Sequence, residues 1–116
     1  MQRLIAAFIN SMRALGHLAQ KEKAVQQELG LLIVSVPVAW WLAGDAIQFA
    51  LLVGSIMFML LVEVLNTGIE ATCDAVSRDF RKEIQVAKDC GSLAVLISIV
   101  MVAATWGIIG FERLAG

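Results

Sequence analysis

The sequence predicts an all-α membrane protein with three transmembrane helices, and three observations support this. Of its 116 residues, 59% are hydrophobic and 16% are charged, whereas about a quarter are charged in soluble domains. The mean hydropathy is +0.82. Uncharged stretches cover residues 29–44, 46–62 and 90–111, each close to the length that crosses a bilayer. Because backbone groups in hydrocarbon must be paired within their own segment, we expect helices and a single membrane domain over residues 1–116.

The segment before the first span, residues 1–28, is expected to form a surface helix that leads into the first span. At 100° per residue, the polar side chains of residues 1–21 fall within an arc of about 100°, and apolar side chains fill the opposite side. This pattern is typical of an amphipathic helix at the membrane interface. The polar arc holds Arg3, Asn10, Arg13, His17, Gln20 and Lys21. We prefer a surface helix to one packed on protein because three spans offer little soluble core.

The distribution of lysine and arginine predicts the orientation. The segment before the first span carries four, the turn at Gly44 and Asp45 none, residues 63–89 four, and the C-terminal tail one, Arg113. Since basic residues favour the cytoplasmic side, the N-terminus and residues 63–89 are expected in the cytoplasm. The first turn and the C-terminus are then expected outside.

Several classes of function are excluded by composition and motif. A net charge of −1 gives no basic footprint for nucleic acid. Cys73 and Cys90 form no Cys-x-x-Cys pair, and the single histidine is remote from both, so a disulfide framework or zinc site is not expected. Phosphate-binding glycine loops, soluble protein-kinase motifs and the serine-hydrolase elbow are all missing.

A stripe of polar side chains follows the second span. Glu63, Asn66, Glu70 and Asp74 are spaced 3, 4 and 4 residues apart, which places them within about 80° of one helix face. Acids four residues apart repel each other, so the stripe costs helix stability. Ionisable groups close to hydrocarbon usually serve a function. Clustered carboxylates suit a hard cation such as Mg²⁺ and can include a general base.

The stripe alone leaves other interpretations open. It could be the solvated end of a helix, paired with Arg78, Arg81 and Lys82. It could also bind cations in a non-enzymatic carrier or channel. Lys88 and Asp89 directly precede the third span. An adjacent Lys and Asp at a helix start could bind phosphate and a metal or ribose. The alternative is an ordinary pair of charges at the membrane edge.

Two sequence blocks resemble those of the small bacterial integral-membrane diacylglycerol kinases. The first family block is Glu-x-x-Asn-(Ser/Thr)-x-(aliphatic)-Glu-x-x-x-Asp, which here runs from Glu63 to Asp74. The second is Ala-Lys-Asp-x-(Gly/Ala)-Ser, which here runs from Ala87 to Ser92. The spacing between the blocks, the three spans and the surface helix also match, so the resemblance covers essentially the whole chain.

The resemblance implies a homotrimer in the bacterial inner membrane, with active sites between protomers at the cytoplasmic edge. The family transfers the γ-phosphate of Mg-ATP to the hydroxyl of diacylglycerol and forms phosphatidic acid. By motif, Glu63 would be the general base on the lipid hydroxyl. Glu70, together with Glu22, would hold the Mg²⁺ that bridges the ATP phosphates, and Asn66 and Asp74 would support the stripe.

The resemblance also implies binding residues for both substrates. Those expected on the nucleotide are Lys88, Asp89, Asp79, Arg81 and Arg3. Those expected on the lipid substrate, besides Glu63, are Arg3, Gln27, Glu28, Ser92 and, at the lipid-facing cleft, Trp41.

The chain departs from the family pattern at a few positions. Gly68 stands where Ala or Ser is common, which costs about 1 kcal/mol of helix propensity against Ala. The surface helix has no tryptophan, and Leu18 and Ala19 stand in that region. Asn10 and Gly16 replace an expected aromatic and a basic residue. These changes spare the metal site but leave undecaprenol open as an alternative acceptor.

Overall fold

The chain folds into four helices, described by a computed structural model that covers all 116 residues. They are α1 (Gln2–Lys21), α2 (Lys23–Leu42), α3 (Ala46–Val76) and α4 (Lys82–Ala115). The predicted all-α class is confirmed. Helices α2, α3 and α4 are long and apolar enough to cross a membrane, and α3 packs against both α2 and α4.

Helices α1 and α2 meet at a single extended residue. Glu22 has φ −108° and ψ 113°, which ends α1 and allows α2 to start at the next residue. The side-chain amide of Gln26 donates a hydrogen bond to the carbonyl oxygen of Ala19 at 2.9 Å. Because the last carbonyls of a helix lack partners within it, this bond satisfies one of them and ties the end of α1 to the first turn of α2.

The turn between α2 and α3 is short and fixed by side-chain caps. The Asp45 carboxylate accepts a hydrogen bond from the backbone N–H of Gln48 at 2.8 Å. The Gln48 side chain accepts in return from the backbone N–H of Gly44, also at 2.8 Å. This reciprocal arrangement resembles a capping box and sets the start of α3.

Removing the cap at Asp45 is expected to weaken the fold without affecting the opposite end of the molecule. Asp45→Ala leaves the Gln48 N–H without its acceptor and should lower the free energy of unfolding by about 1 kcal/mol. Asp45→Asn is the matched control and should stay close to wild type, because asparagine also caps helices well. Denaturation in SDS mixed micelles, followed by circular dichroism, measures both variants. Equal losses in the two variants would contradict a capping role.

Helix α3 continues well past the uncharged segment. Its 31 residues span about 46 Å, so the last four turns lie beyond the apolar stretch that ends at Val62 and carry the stripe. The backbone is helical throughout to Val76, where the following Ser77 is extended.

Helix α4 begins earlier than the sequence analysis expected. It starts at Lys82, so the expectation that Lys88 and Asp89 stand at a helix start is wrong. The physical reason is local, because residues 82–89 contain no Pro, Gly or other strong helix breaker. The connecting segment is only 77–81, and in it the Ser77 hydroxyl accepts the N–H of Asp79 at 3.1 Å. Lys88 and Asp89 therefore lie inside the second helical turn or just past it.

The apolar core within one chain is small and lies toward the end of the bundle remote from the stripe. It consists of Ala39, Leu42, Leu52 and Ile109. The Trp106 indole N–H lies beside this cluster and donates to the Leu52 carbonyl at 3.0 Å and to the Ser55 hydroxyl at 3.2 Å. Only 12 of 116 residues are buried, and large apolar side chains cover the outside, as expected for a chain surrounded by lipid or by partner subunits.

Candidate active site

The four side chains of the stripe lie on one continuous helix, as their spacing predicted. The Asn66 side-chain amide donates a hydrogen bond to the Glu70 carboxylate at 3.0 Å. Glu63, one turn earlier, is half-buried and lies within electrostatic range of Glu70 and Glu22. The structure thus brings an acid of the α1–α2 junction toward the stripe on α3.

The stripe is tied to α4 by one ion pair. Lys88 Nζ donates to Asp74 Oδ1 at 3.0 Å, and this hydrogen bond, reinforced by the charge of Lys88, holds the pKa of the Asp74 carboxyl below its ordinary value. Both side chains are more than a third exposed, so the pair contributes more to positioning than to stability.

The alternative in which Arg78, Arg81 and Lys82 pair with the stripe is not what the structure contains. Arg78, Arg81 and Lys82 form no salt bridge, and the Lys88–Asp74 contact is the only salt bridge in the chain. Glu63 and Glu70 therefore remain without a basic partner within one subunit. Uncompensated carboxylates near hydrocarbon are costly, which favours a role in binding a cation or a proton.

Two adjoining clefts open beside the stripe. The first lies between the ends of α1 and α3. His17 of α1 and the junction residue Glu22 line one side, and Glu70 and Asp74 of α3, with Arg78 just beyond that helix, line the other. The second is formed by residues 77–89 and holds four residues expected on the nucleotide, together with Arg78, which borders both clefts. These four are Asp79, Arg81, Lys88 and Asp89.

Comparison with known proteins identifies the family. The sequence profile described as "Prokaryotic diacylglycerol kinase" matches residues 9–110. The chain belongs to the prokaryotic diacylglycerol kinase family. The match confirms the resemblance drawn from the two sequence blocks. The chain is therefore a lipid kinase that uses ATP, and the non-enzymatic carrier or channel is set aside.

Individual members of the diacylglycerol kinase family align over most of their length. The diacylglycerol kinase of Escherichia coli K12 is 38% identical over 107 residues, which cover 92% of this chain and 88% of the relative. The one from Pseudomonas aeruginosa is 36% identical over 88 residues, covering 76% and 72%. The one from Helicobacter pylori 26695 is 29% identical over 106 residues, covering 91% and 83%.

The donor set of this kinase suits a metal ion that arrives with a nucleotide. No group of three or more His, Cys, Asp or Glu side chains is arranged to hold a metal by itself. Glu22 and Glu70 instead line one cleft together with Asp74, whose carboxylate is already paired with Lys88. Mg²⁺ usually keeps several waters and is bound by one or two carboxylates plus substrate phosphates. The residues present therefore fit Mg²⁺ held jointly by protein and ATP.

Glu28 carries an unpaired polar atom close to the stripe. This α2 residue is half-buried and lies within electrostatic range of Glu63. Its Oε1 atom is buried without a hydrogen-bond partner in the chain. An unpaired buried carboxylate oxygen is costly, and it is available to a donor supplied by a substrate or by water.

Other predicted residues of the kinase are not gathered at the clefts of a single chain. Arg3 lies roughly 16 Å along α1 from Ala14, the first cleft residue on that helix. Trp41 lies roughly 20 Å along α2 from Glu28, and the Arg113 guanidinium is 5.6 Å from the centre of its ring. Trp41 thus belongs to the opposite end of the bundle. Gln27 and Ser92 are exposed and line neither cleft.

Some residues that line the clefts were not predicted from the sequence. His17 was grouped only with the solvated polar arc of α1, yet it lines the first cleft. Gln85 and Ser77 line the second. Helical spacing gave no signal for His17, because it lies five residues before Glu22, about 140° around a helix. Periodicity also does not say which arc of α1 turns toward α3.

Proposed function

We propose that this kinase transfers the γ-phosphate of Mg-ATP to the hydroxyl of diacylglycerol and releases phosphatidic acid and ADP. The observation that carries the proposal is the position of Glu63. It directly follows 17 uncharged residues of α3 and begins the stripe whose later members, Glu70 and Asp74, line the first cleft. A base at this depth can meet a hydroxyl presented at the headgroup layer, while a soluble nucleotide approaches from the cytoplasm.

Glu63 is assigned the role of general base. Its carboxylate accepts the hydroxyl proton as the lipid oxygen forms a bond to the γ-phosphorus. The bond between the γ-phosphorus and the β–γ bridging oxygen breaks, and ADP leaves. Phosphoryl transfer depends mainly on positioning and charge stabilisation. Bound Mg²⁺ supplies neutralisation of the phosphate charge. Glu28, with its unpaired oxygen, lies on the acceptor side with Gln27 and Ser92.

The nucleotide is assigned to the cleft of residues 77–89. The Lys88 ammonium is a compact charge suited to a phosphate oxygen, and Asp74 holds it at the stripe through their 3.0 Å contact. Asp89 is available to a ribose hydroxyl or to the metal. Asp79 and Arg81 complete the polar lining. Glu70 and Glu22 would hold the Mg²⁺ that accompanies the nucleotide, with Asn66 supporting Glu70.

A homotrimer with shared sites accounts for the residues that one chain does not gather. Arg3 is remote from the clefts of its own subunit, so it can serve a site only if that site belongs to another protomer. The exposed apolar side chains of α2, α3 and α4 leave surface for contacts between subunits within the bilayer. We also assign the N-terminus and the site to the cytoplasmic side of the bacterial inner membrane and the C-terminus to the outside, following the basic residues.

A competition between lipid acceptors tests the choice of diacylglycerol. Purified protein in mixed micelles receives diacylglycerol and undecaprenol at equal mole fraction, with γ-labelled ATP and Mg²⁺. We expect label in phosphatidic acid to exceed that in undecaprenyl phosphate by about tenfold or more, because a site built for one acceptor discriminates through differential transition-state binding. Label mainly in undecaprenyl phosphate would overturn the acceptor assignment and retain the kinase mechanism.

A further inference from the structure

Gly91 packs directly against a side chain of the stripe. It is buried on α4. A Cβ built at this position would overlap Asn66 Oδ1 and lie 3.2 Å from Asn66 Cγ. Gly107 and Gly110 on the same helix have nothing within 4 Å of such an atom. The close approach is therefore particular to Gly91 and not a general property of the glycines on α4.

The Asn66 amide has only one orientation that suits its surroundings. An ionised carboxylate accepts hydrogen bonds and donates none, so the NH₂ group must face Glu70, as its 3.0 Å contact requires. The carbonyl oxygen Oδ1 is then directed at α4. There it is buried and has no hydrogen-bond partner. It occupies the space in which any residue other than glycine would carry its side chain, and the Gly91 Cα–H groups are its neighbours there.

We propose that Gly91 is a positioning residue for phosphoryl transfer, acting through Asn66 on the Glu70 carboxylate. Because Gly91 has no side chain, the Asn66 Oδ1 atom can pack against α4. In this orientation the Asn66 NH₂ group points toward Glu70. The inference deepens the proposed function, since it rests on Glu70 as the metal-binding carboxylate. Together with the Lys88–Asp74 pair, it gives α4 two fixed points on the stripe.

A methyl group at position 91 is expected to change the orientation of the Asn66 side chain more than the folding of the protein. The atom it would meet first is the end of the Asn66 side chain, which can rotate about its χ angles. Rotation of Asn66 in this chain removes the hydrogen bond to Glu70 and leaves that carboxylate free to adopt other rotamers.

Gly91→Ala is the direct test, with Gly107→Ala as the matched control. A hydrogen bond to a charged group is lost, so we expect roughly a tenfold fall in kcat with diacylglycerol and a rise in the Mg²⁺ concentration needed for half-maximal activity. Gly107→Ala should leave both unchanged. In the protein without nucleotide or metal, the Asn66 side-chain ¹⁵N–¹H signals should shift in Gly91→Ala, and the Trp106 indole signal should not.

A double-mutant cycle separates positioning from a structural effect. If Gly91 acts through Asn66, then Asn66→Ala and the double variant Asn66→Ala/Gly91→Ala should have equal activity, because a Cβ at Gly91 lies at an ordinary 3.8 Å from Asn66 Cβ. If Gly91→Ala alone failed to fold, recovery of the trimer by the double variant would support the same contact.

Three results would overturn the proposal. They are full activity of Gly91→Ala, unmoved Asn66 signals in that variant, and a further tenfold loss in the double variant. The signals of Asn66 are read without substrate. They therefore report on Gly91 even if the acceptor proves not to be diacylglycerol, and the two failures remain distinguishable.

Discussion

Glu63→Gln is expected to lower phosphate transfer to diacylglycerol by roughly 10²- to 10⁴-fold, the contribution typical of a general base. Glutamine has nearly the same shape but cannot take the hydroxyl proton at neutral pH. The effect should appear in kcat, because the substitution removes an interaction made in the transition state. Activity is measured with γ-labelled ATP in mixed micelles containing saturating lipid.

The control for this variant is Glu112→Gln, which removes one carboxylate from the exposed end of α4 remote from the stripe. It should retain wild-type activity. Variant and control should elute as the same oligomer and keep the same helical content. A correctly assembled Glu63→Gln protein with wild-type kcat would contradict the assignment of the base, whatever the acceptor lipid.

Glu70→Gln is expected to produce the second-largest effect, on the requirement for Mg²⁺. Loss of a group that only orients a metal ligand typically costs roughly 10- to 100-fold in metal affinity. Loss of the ligand charge itself should therefore raise the half-saturating Mg²⁺ concentration by about 100-fold or more. The glutamine introduced by this substitution still presents an oxygen to the Asn66 amide, so the 3.0 Å contact need not be lost and the variant isolates the charge.

The measurement is activity against Mg²⁺ concentration at saturating ATP and lipid, supplemented by electron paramagnetic resonance of Mn²⁺ binding with ATP. Glu22→Gln should change the same quantity in the same direction, because Glu22 faces the same cleft. Glu112→Gln should leave it unaltered. A Glu70→Gln variant with the Mg²⁺ dependence of the wild type would remove Glu70 from the metal site.

The sequence was sufficient for the membrane-spanning segments and the stripe because both follow from patterns within one segment. Uncharged length identifies the membrane-spanning segments, and the 3, 4, 4 spacing from Glu63 to Asp74 holds on any continuous helix. The one condition, that α3 continues beyond Val62, is met through Val76. The two sequence blocks then identified a family that the comparison supports over residues 9–110.

The contacts between helices could not be predicted in this way. Two contacts depend on the register of α4 against α3: the ion pair of Lys88 with Asp74 and the packing of Asn66 against Gly91. That register is set by packing over many residues. The start of α4 at Lys82 was missed because a charged segment has no apolar period to mark a helix. Trp41 lies at the far end of α2, away from the clefts. A residue assigned by family resemblance therefore need not lie at the site formed by a single chain.

The most direct test of the central claim is transfer of label from γ-labelled ATP to diacylglycerol by the purified protein in mixed micelles with Mg²⁺. We expect label in phosphatidic acid, its loss on chelation of Mg²⁺, and its near-absence in Glu63→Gln. A well-folded protein that labels neither diacylglycerol nor undecaprenol under these conditions would show that the chain is not a kinase for either lipid.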